Sequence, residues 1–185
     1  RDAKEDRGLI THLRKQKGDK NNVTTQTKAA DVKGKSAKSA SLVTPEFRVS
    51  FPYVFAPQKQ INDKGEETQK YGITMIFPKT TDLTALKQVV ANAIIEKFGP
   101  DKAKWPKLRL PFRDGADKDY DGYGPDTVFC SATAGKNRPG LVNQALQPIL
   151  DPSEFYAGCY ARAEVRAFYY DVKGKGFGIG LQNLQ

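Results

Sequence analysis

Two stretches in the first half of the chain alternate between apolar and polar residues with a period of two, the pattern of half-buried β-strands. Pro52 interrupts the first stretch, FRVSFPYVFAP, and predicts either an edge strand or a bulge there. The turn-rich sequence INDKGEE separates it from KYGITMIFPK, so the two predict an antiparallel pair. The residues predicted to face inward are Phe47, Val49, Phe51, Tyr53 and Phe55, followed by Tyr71, Ile73, Met75 and Phe77.

The next segment, TTDLTALKQVVANAIIEKFGP, changes to the period of an amphipathic helix. Thr81 or Asp82 can cap its start, and the Gly99-Pro100 pair ends it. We expect this helix to cover a β core. Its apolar stripe consists of Leu83, Leu86, Val89, Val90, Ala93, Ile94 and Phe98.

The second half of the chain predicts more strands joined by irregular segments. Residues 100–126 are rich in proline, glycine and aspartate, TVFCSAT indicates a strand, and GLVNQALQPILDP indicates a turn with short extended pieces. A final hairpin follows from GCYARAEVRAFYYD and GFGIGLQNL. About five strands and one main helix therefore predict a mainly β domain, a small barrel or sandwich closed by the helix.

Charge divides the chain into two parts. The 185 residues carry net charge +9, of which +6 lies in residues 1–40, where none of the 19 aromatic residues falls. We therefore predict a polar, basic N-terminal arm or linker over residues 1–44 and a folded domain over residues 45–185. Basic proteins attract polyanions, so nucleic acid heads the candidate partners.

The sequence lacks the residues that the common types of catalytic site require. The lone histidine, His12, falls in the arm, which argues against Ser-His-Asp, Cys-His and His-rich zinc sites. Cys130 and Cys159 belong to no CxxC motif and are expected to be buried thiols. No apolar run is long enough to span a bilayer, and the N-terminus lacks the apolar stretch of a secretory signal, so we expect a soluble, cytosolic protein.

The acidic segment DGADKDYDGYGPD is the one candidate metal site. Asp117, Asp119 and Asp121 match the first half of a calcium loop, but Val128 stands where the bidentate glutamate should be. Asp114 with Asp117 and Asp119 would be the ligands of a two-metal nuclease, an arrangement that usually requires rigid elements. A solvated turn is the default interpretation, and no metal or other cofactor is expected.

The closing hairpin interleaves cations with aromatic rings, the combination that binds single-stranded nucleic acid. Its small apolar residues Ala161, Ala163, Val165 and Ala167 predict an inward face, and Glu164 also permits a plain ion-pair ladder on the opposite face. The candidate DNA-binding residues are Arg109, Phe112, Arg113, Tyr120, Tyr123, Lys136, Arg138, Tyr160, Arg162, Arg166, Phe168, Tyr170, Lys173 and Lys175.

Glycine occupies every second position of the return strand. Phe177, Ile179 and Leu181 are predicted to point inward, so Gly176, Gly178 and Gly180 leave the other face without side chains. Glycine is tolerated in a strand where a ligand or another backbone approaches closely. Either a DNA strand or a neighbouring protein segment can therefore occupy this face.

Several spaced motifs resemble the single-stranded DNA-binding proteins of tailed phages and prophages. They are KLRLPFRDG, SATAGKNRPGLV, QPILDPSEFYAGCYARAEVRAFYYD and GFGIGLQNLQ, and the similarity covers roughly residues 46–185. The resemblance implies an OB-fold-like, closed or partly open antiparallel barrel with elaborated loops. It also implies a protein without a catalytic step that coats single-stranded DNA in phage replication or recombination, in the cytoplasm of the bacterial host.

Two features depart from that family pattern. The helix of the commonest OB arrangement follows three strands, whereas the sequence predicts two before residue 82. Such proteins often end in an acidic tail that recruits phage or host replication proteins, and no such tail precedes Gln185, so we expect a longer natural protein. RNA as a ligand and the oligomeric state stay open, and the alternatives are a structural or adaptor phage protein and a metal-dependent nuclease.

Overall fold

The computed structural model of the chain describes residues 40–61, 65–172 and 174–185. These residues form nine strands and one α-helix, which confirms the predicted mainly β fold with one main helix. No helix in the described part of the chain is long and apolar enough to cross a membrane. The elements are β1 (Leu42–Val43), β2 (Phe47–Ile61), β3 (Glu67–Pro78), α1 (Thr84–Phe98), β4 (Arg113–Asp114), β5 (Thr127–Gly135), β6 (Gly140–Leu141), β7 (Tyr160–Ala161), β8 (Ala163–Asp171) and β9 (Lys175–Leu184).

All nine strands belong to one sheet with the order β1-β8-β9-β5-β3-β2-β7, and β4 and β6 pair with β5 and β9. The hydrogen-bonded path is not a closed ring, so the partly open form of the predicted barrel is the observed one. Only Arg162 separates β7 from β8. One stretch of chain therefore pairs with β2 through its first residues and with β9 through the remainder.

The expectation of a purely antiparallel sheet is wrong at β9. This strand runs parallel to β5, with Ala132 opposite Ile179 and Thr133 opposite Gly180, and it also runs parallel to β6. A parallel pair requires a long connection that brings the chain back in the same direction. The segment from β6 to β8 supplies that connection.

Strand β2 contains the bulge that Pro52 predicted. Its pairing with β3 shifts register between Ser50 and Tyr53, and Phe51 has a positive φ of 48°. Phe47 and Val49 are buried as expected, but Phe51 and Tyr53 are exposed. The expected single inward face is wrong at Phe51 and Tyr53, because an extra residue in a strand moves the side chains beside it to the other face, whereas Phe55 is half-buried and packs against the core.

Strand β3 lies in the interior of the sheet and contributes side chains to the hydrophobic core. Strand β3 pairs with β2 on one side and β5 on the other, which confirms the predicted hairpin, and Met75 and Phe77 are fully buried. Phe47 meets Phe77 edge to face with ring centroids 5.6 Å apart. This contact packs the two strands of the pair against each other within the core.

Helix α1 covers the sheet beside β8 and β1, as the predicted lid. The Asp82 carboxylate accepts a hydrogen bond from the Thr84 N–H at 2.8 Å, and hydrogen bonds from Thr84 lower the pKa of Asp82. At the other end Gly99 has φ 82° and its N–H donates to the Ile95 carbonyl. Gly99 thus ends the helix as predicted, whereas the N-cap residue is Leu83, which makes no side-chain capping bond, so Asp82 bonds to the helix from one position before the cap. The buried residues of the helix are Leu86, Val90, Ala93 and Ile94.

Two of the four two-residue strands, β1 and β4, were not predicted from the sequence, because so short an element shows no periodicity. One of them, β1, places Leu42 opposite Val165 and supplies a third strand before the helix. The buried Thr44 anchors it, since its Oγ1 accepts from the Ala163 N–H at 3.0 Å. These residues precede the predicted domain start at residue 45, and most of the predicted arm, residues 1–39, lies outside the described residues. The domain limits stay a prediction.

Candidate nucleic-acid interface

The closing hairpin has the two faces that its sequence predicted. The residues predicted to face inward are all buried on the core side, namely Ala161, Ala163, Val165, Ala167, Phe177, Ile179 and Leu181. The register places Arg166 opposite Gly180, Phe168 opposite Gly178 and Tyr170 opposite Gly176. Rings and cations of β8 therefore stand beside the bare backbone of β9.

The side chains of β8 themselves cover the glycine face. A Cβ added at Gly178 would lie 2.7 Å from Cζ of Phe168, and one at Gly176 would lie 2.5 Å from the Tyr170 hydroxyl. At Gly180 the added Cβ would lie 3.3 Å from Cγ of Arg166. The question left open by the sequence is thus answered within the hairpin, because the alternating glycines make room for the larger side chains of the opposite strand.

A basic cleft of about 1160 Å³ opens where the ends of β5 and β9 meet helix α1. Its lining includes four cations and a single acidic residue, Glu96. Phe168 contributes an aromatic ring that is 38% exposed. The lining cations are Lys70, Lys97, Arg138 and Arg166.

The local structure holds two of these cations in place. Arg138 donates from Nε to the Val54 carbonyl at 3.1 Å, and its guanidinium lies 4.9 Å from the centroid of the Phe55 ring. Lys97 places Nζ 5.0 Å from the centroid of the Tyr169 ring. Because rings and a carbonyl fix these groups without neutralising them, their charge stays available to an anion in the cleft.

A second group of predicted residues lies at the turn end of the hairpin. The chain at Arg109 runs beside β9, since its N–H donates to the Lys175 carbonyl at 3.0 Å and its carbonyl accepts from the Phe177 N–H at 2.9 Å. Lys175 is exposed, and the Arg109 carbonyl approaches the same glycine as Tyr170. Arg109, Tyr170 and Lys175 therefore come together, whereas Lys173 lies outside the described residues.

Tyr120 and Tyr123 belong to an aromatic cluster around Lys118, beside the bulge of β2. Tyr120 meets Phe51 edge to face with ring centroids 5.5 Å apart, and Tyr123 donates a hydrogen bond from its hydroxyl to Ser50 Oγ at 3.1 Å. Phe51 was predicted to face the core, and Lys118 was not among the predicted site residues. Pro52 was the one signal that could have placed Phe51 on the surface.

Five predicted residues lie elsewhere on the domain. Phe112 is half-buried and packs against the core, and Arg113 is exposed on β4 opposite Phe129. Tyr160 and Arg162 are exposed at the junction of β7 and β8, where Tyr160 pairs with Arg48. Lys136 is exposed on the loop that carries Arg138. The predicted set therefore spans several surfaces of the domain.

The acidic segment is partly engaged by a lysine. Lys79 donates to the Asp114 carboxylate at 2.7 Å, and this bond, with one from the Ala116 N–H, lowers the pKa of Asp114. Asp114 also forms part of β4, whereas Asp117 ends a short 3₁₀ turn. Within residues 40–61, 65–172 and 174–185 no three histidine, cysteine or acidic side chains form a group that could hold a metal ion.

Comparison with known proteins identifies the family. The family described as Enterobacter phage Enc34, ssDNA-binding protein, matches residues 40–185. The chain belongs to this family. Its relatives include the putative protein p50 of Acyrthosiphon pisum secondary endosymbiont phage 1, which is 32% identical over 149 residues and is matched over 75% of this chain and 78% of its own length.

Solved structures agree with this assignment. The single-stranded DNA-binding protein from bacteriophage Enc34, in complex with single-stranded DNA, is 26% identical with a TM-score of 0.60, and the match covers 80% of this chain and 85% of that chain. The single-stranded DNA-binding protein gp2.5 of bacteriophage T7 shares the fold with a TM-score of 0.56 at 11% identity, over 78% of this chain and 84% of that chain. The resemblance and the OB-like fold predicted from the sequence are both confirmed.

The matched residues contain the basic cleft, the turn end of the hairpin and the aromatic cluster around Lys118. All three combine cations with rings, although they derive from different strands and loops.

Proposed function

We propose that this protein binds single-stranded DNA without catalysis and coats it during phage DNA replication or recombination, in the cytoplasm of the bacterial host. The observation that carries the proposal is the basic cleft, in which Arg138, Arg166 and the exposed ring of Phe168 lie side by side. Membership in the Enc34 family and the likeness to a relative in complex with single-stranded DNA support it.

The chemistry of the cleft suits an unpaired strand. Binding without sequence preference uses cations along the phosphates and flat rings on which bases stack. Arg166 can serve both tasks, since a guanidinium pairs with phosphate and stacks on a base. A duplex keeps its bases stacked inside and offers none of them to Phe168.

We propose that the bound strand continues from the cleft toward the turn end of the hairpin. Phe168 in the cleft and Tyr170 at the turn end are neighbours on the outer face of β8, with ring centroids 6.5 Å apart. A strand that leaves the cleft over Phe168 therefore meets Tyr170 and then the cations Arg109 and Lys175. The other residues proposed to contact DNA are Phe112, Arg113, Tyr120, Tyr123, Lys136, Tyr160, Arg162 and Lys173.

Fluorescence anisotropy with labelled single-stranded DNA, single-stranded RNA and duplex DNA over a salt series tests this function. We expect binding to single-stranded DNA of any sequence, with an affinity that falls linearly on a plot of log K against log salt concentration. Tight binding to duplex DNA without binding to single strands would contradict the proposal. Labelled DNA should also stay intact with magnesium or manganese, and cleavage would contradict the absence of catalysis.

A pair of double variants tests the cleft. Replacing Arg138 and Arg166 by glutamine should weaken binding to single-stranded DNA, because both cations line the cleft. The matched control replaces Lys102 and Lys104 by glutamine, since both are exposed on a 3₁₀ turn and neither lines the cleft. Equal losses in the two variants would indicate an attraction that depends only on net charge.

A further inference from the structure

A shallow hollow of about 410 Å³ lies beside the bulge of β2, apart from the basic cleft. Three of its lining side chains are aromatic and exposed, with exposed fractions of 36% for Phe51, 37% for Tyr53 and 57% for Tyr120. The other lining residues are Ser50, Pro52, Asp121 and Ala157. The hollow thus brings together three aromatic rings that are on the surface and do not pack in the core.

The backbone of Phe51 is strained in a way that exposes its ring. A φ of 48° is unfavourable for any bulky residue that is not glycine. The alternation of β2 would have buried this side chain, and the bulge instead directs it to the surface. Residues held in sparsely populated backbone conformations concentrate at binding sites, because the surrounding structure must stabilise them. The strain therefore points to use of the Phe51 ring.

Lys118 holds the rings of the hollow from one side. Its Nζ lies 5.6 Å from the ring centroid of Phe51 and 5.3 Å from that of Tyr120, and it also approaches Tyr123 and Phe129. Its side chain is half-buried, and in the described part of the chain it forms no salt bridge. A cation enclosed by ring faces fixes their orientation, so Lys118 acts as a positioning residue.

Arg48 provides a cation at the rim of the hollow. Its guanidinium lies within 4 Å of where a Cβ would stand on Gly122 and on Gly158, the residues that directly follow Asp121 and Ala157 in the sequence. Both glycines have a positive φ, which lets these two loops turn around the arginine. The exposed ring of Tyr160 stands opposite Arg48 across the strands. An anion on this rim would be bound by Arg48 and kept away from Asp121.

We propose that this hollow is a base-binding subsite that takes one unpaired nucleobase of single-stranded DNA. The base stacks on the face of the Tyr120 ring, the Phe51 ring, which is nearly perpendicular to that of Tyr120, borders the base, and the adjoining phosphate pairs with Arg48. This inference rests on the proposed function and adds to it a second point of attachment, on different elements from the cleft. A flat neutral ligand suits the site, because its rings are exposed while Asp121 repels a phosphate inside the hollow.

Stacking can be separated from phosphate binding by comparing two DNA strands of equal length. One strand carries bases, and the other consists of abasic sites. Tyr120→Leu keeps an apolar side chain but removes the flat ring. We expect it to weaken binding to the base-bearing strand by about 5- to 150-fold, the range for loss of one base–aromatic stack, and to leave binding to the abasic strand unchanged. Tyr120→Phe should bind both strands as the wild type does, and Leu150→Ala is the control at an exposed apolar residue outside the hollow.

Photocrosslinking gives a readout that does not depend on affinity. Single-stranded DNA with bromodeoxyuridine should crosslink to the peptide that contains Tyr120 or Phe51, as identified by mass spectrometry. Arg48→Gln should weaken binding to both strands, because it removes a phosphate contact, and circular dichroism verifies that each variant is folded.

The outcomes distinguish the subsite from the function it rests on. If the wild-type protein binds the base-bearing strand, and Tyr120→Leu binds it equally well with no crosslink in this region, the subsite is wrong and the proposed function stands. Equal losses of Tyr120→Leu on both strands also overturn stacking. A wild-type protein that binds neither strand overturns the proposed function together with the subsite.

Discussion

The ring of Phe168 lies directly against the backbone of Gly178, its partner across the β8–β9 pair, so that a Cβ on the glycine would be 2.7 Å from Cζ of the ring. An aromatic side chain over a glycine of the opposite strand compensates for the packing that the glycine lacks. The ring is nevertheless 38% exposed, so it also presents surface to the cleft. Gly178 therefore determines where a stacking surface can lie.

Gly178→Ala is expected to lower affinity for single-stranded DNA without unfolding the protein. The nearest atoms to the added methyl belong to the far end of the Phe168 side chain, which can rotate away at small cost. The displaced ring would no longer stack on a base, so the loss should approach that of Phe168→Ala, about 1–3 kcal/mol. Titration of each variant with labelled oligonucleotide measures it.

A double-mutant cycle provides the control for that prediction. If Gly178 acts through Phe168, then Gly178→Ala should change affinity very little when Phe168 is already alanine. Additive losses would contradict this coupling. Gly180→Ala is the matched variant in the same strand and should have a smaller effect, because its added methyl would be 3.3 Å from Arg166 Cγ.

Arg166→Gln should reduce the salt dependence of binding to single-stranded DNA. Each phosphate neutralised by a lysine or arginine contributes about 0.7 to the slope of log K against log salt for a single strand. Removing one such contact should therefore make the slope shallower by roughly that amount. Anisotropy titrations at several salt concentrations give the slope, and Lys104→Gln should leave it unchanged. An unaltered slope in Arg166→Gln would place the phosphate elsewhere.

The two cysteines should differ sharply in reactivity. Burial raises the pKa of the Cys130 thiol to about 12, so it stays protonated at pH 8, and thiol–disulfide exchange requires the thiolate. Cys159 is only half-buried. We expect one thiol to react with Ellman's reagent in the folded protein and the second only after unfolding. The Cys159→Ser variant should lose the rapid reaction, and a rapid reaction that persists would contradict the assignment.

Phe77→Ala should destabilise the domain by about 3–5 kcal/mol, the usual cost of emptying a fully buried aromatic site. Phe77 is 0% exposed and packs edge to face on Phe47. Urea denaturation followed by circular dichroism measures the free energy of unfolding. Leu150→Ala, at a residue that is 77% exposed, should change it by less than about 0.5 kcal/mol.

The predictable parts of the fold are those with a long, regular pattern. Helix α1, the β2–β3 pair and the final hairpin follow from periods of about 3.6 and two residues, and Gly99 ends the helix as expected. The two-residue strands β1 and β4 do not, since pairing such as that of Leu42 with Val165 depends on distant parts of the chain. The parallel pairing of β9 likewise depends on the path of a connection and not on local residues.

Some residues of the candidate site could be predicted from the sequence, but the way in which the fold brings them together could not. The small apolar residues that alternate with Arg166 and Phe168 were predicted to face the core, so these two residues were predicted to face outward. Both line the basic cleft. It gave no sign that Lys70 and Lys97 would join them from other elements. Phe51 was placed in the core by its alternation, and only the register shift beside Pro52 reverses that prediction.

The position of β7 and β8 has a consequence for folding. One stretch near the C-terminus pairs with β2, β1 and β9, so the sheet depends on contacts between residues more than 100 positions apart in the chain. Topologies with such distant pairings fold slowly, because loop closure precedes any gain from contact. During synthesis β2 and β3 can pair early, but the edges of β2 and β5 stay open until the last hairpin has left the ribosome. That hairpin covers these edges in part, at Phe47 and Arg48 of β2 and at Ala132 and Thr133 of β5, and so lowers the tendency of newly made protein to aggregate through exposed strand edges.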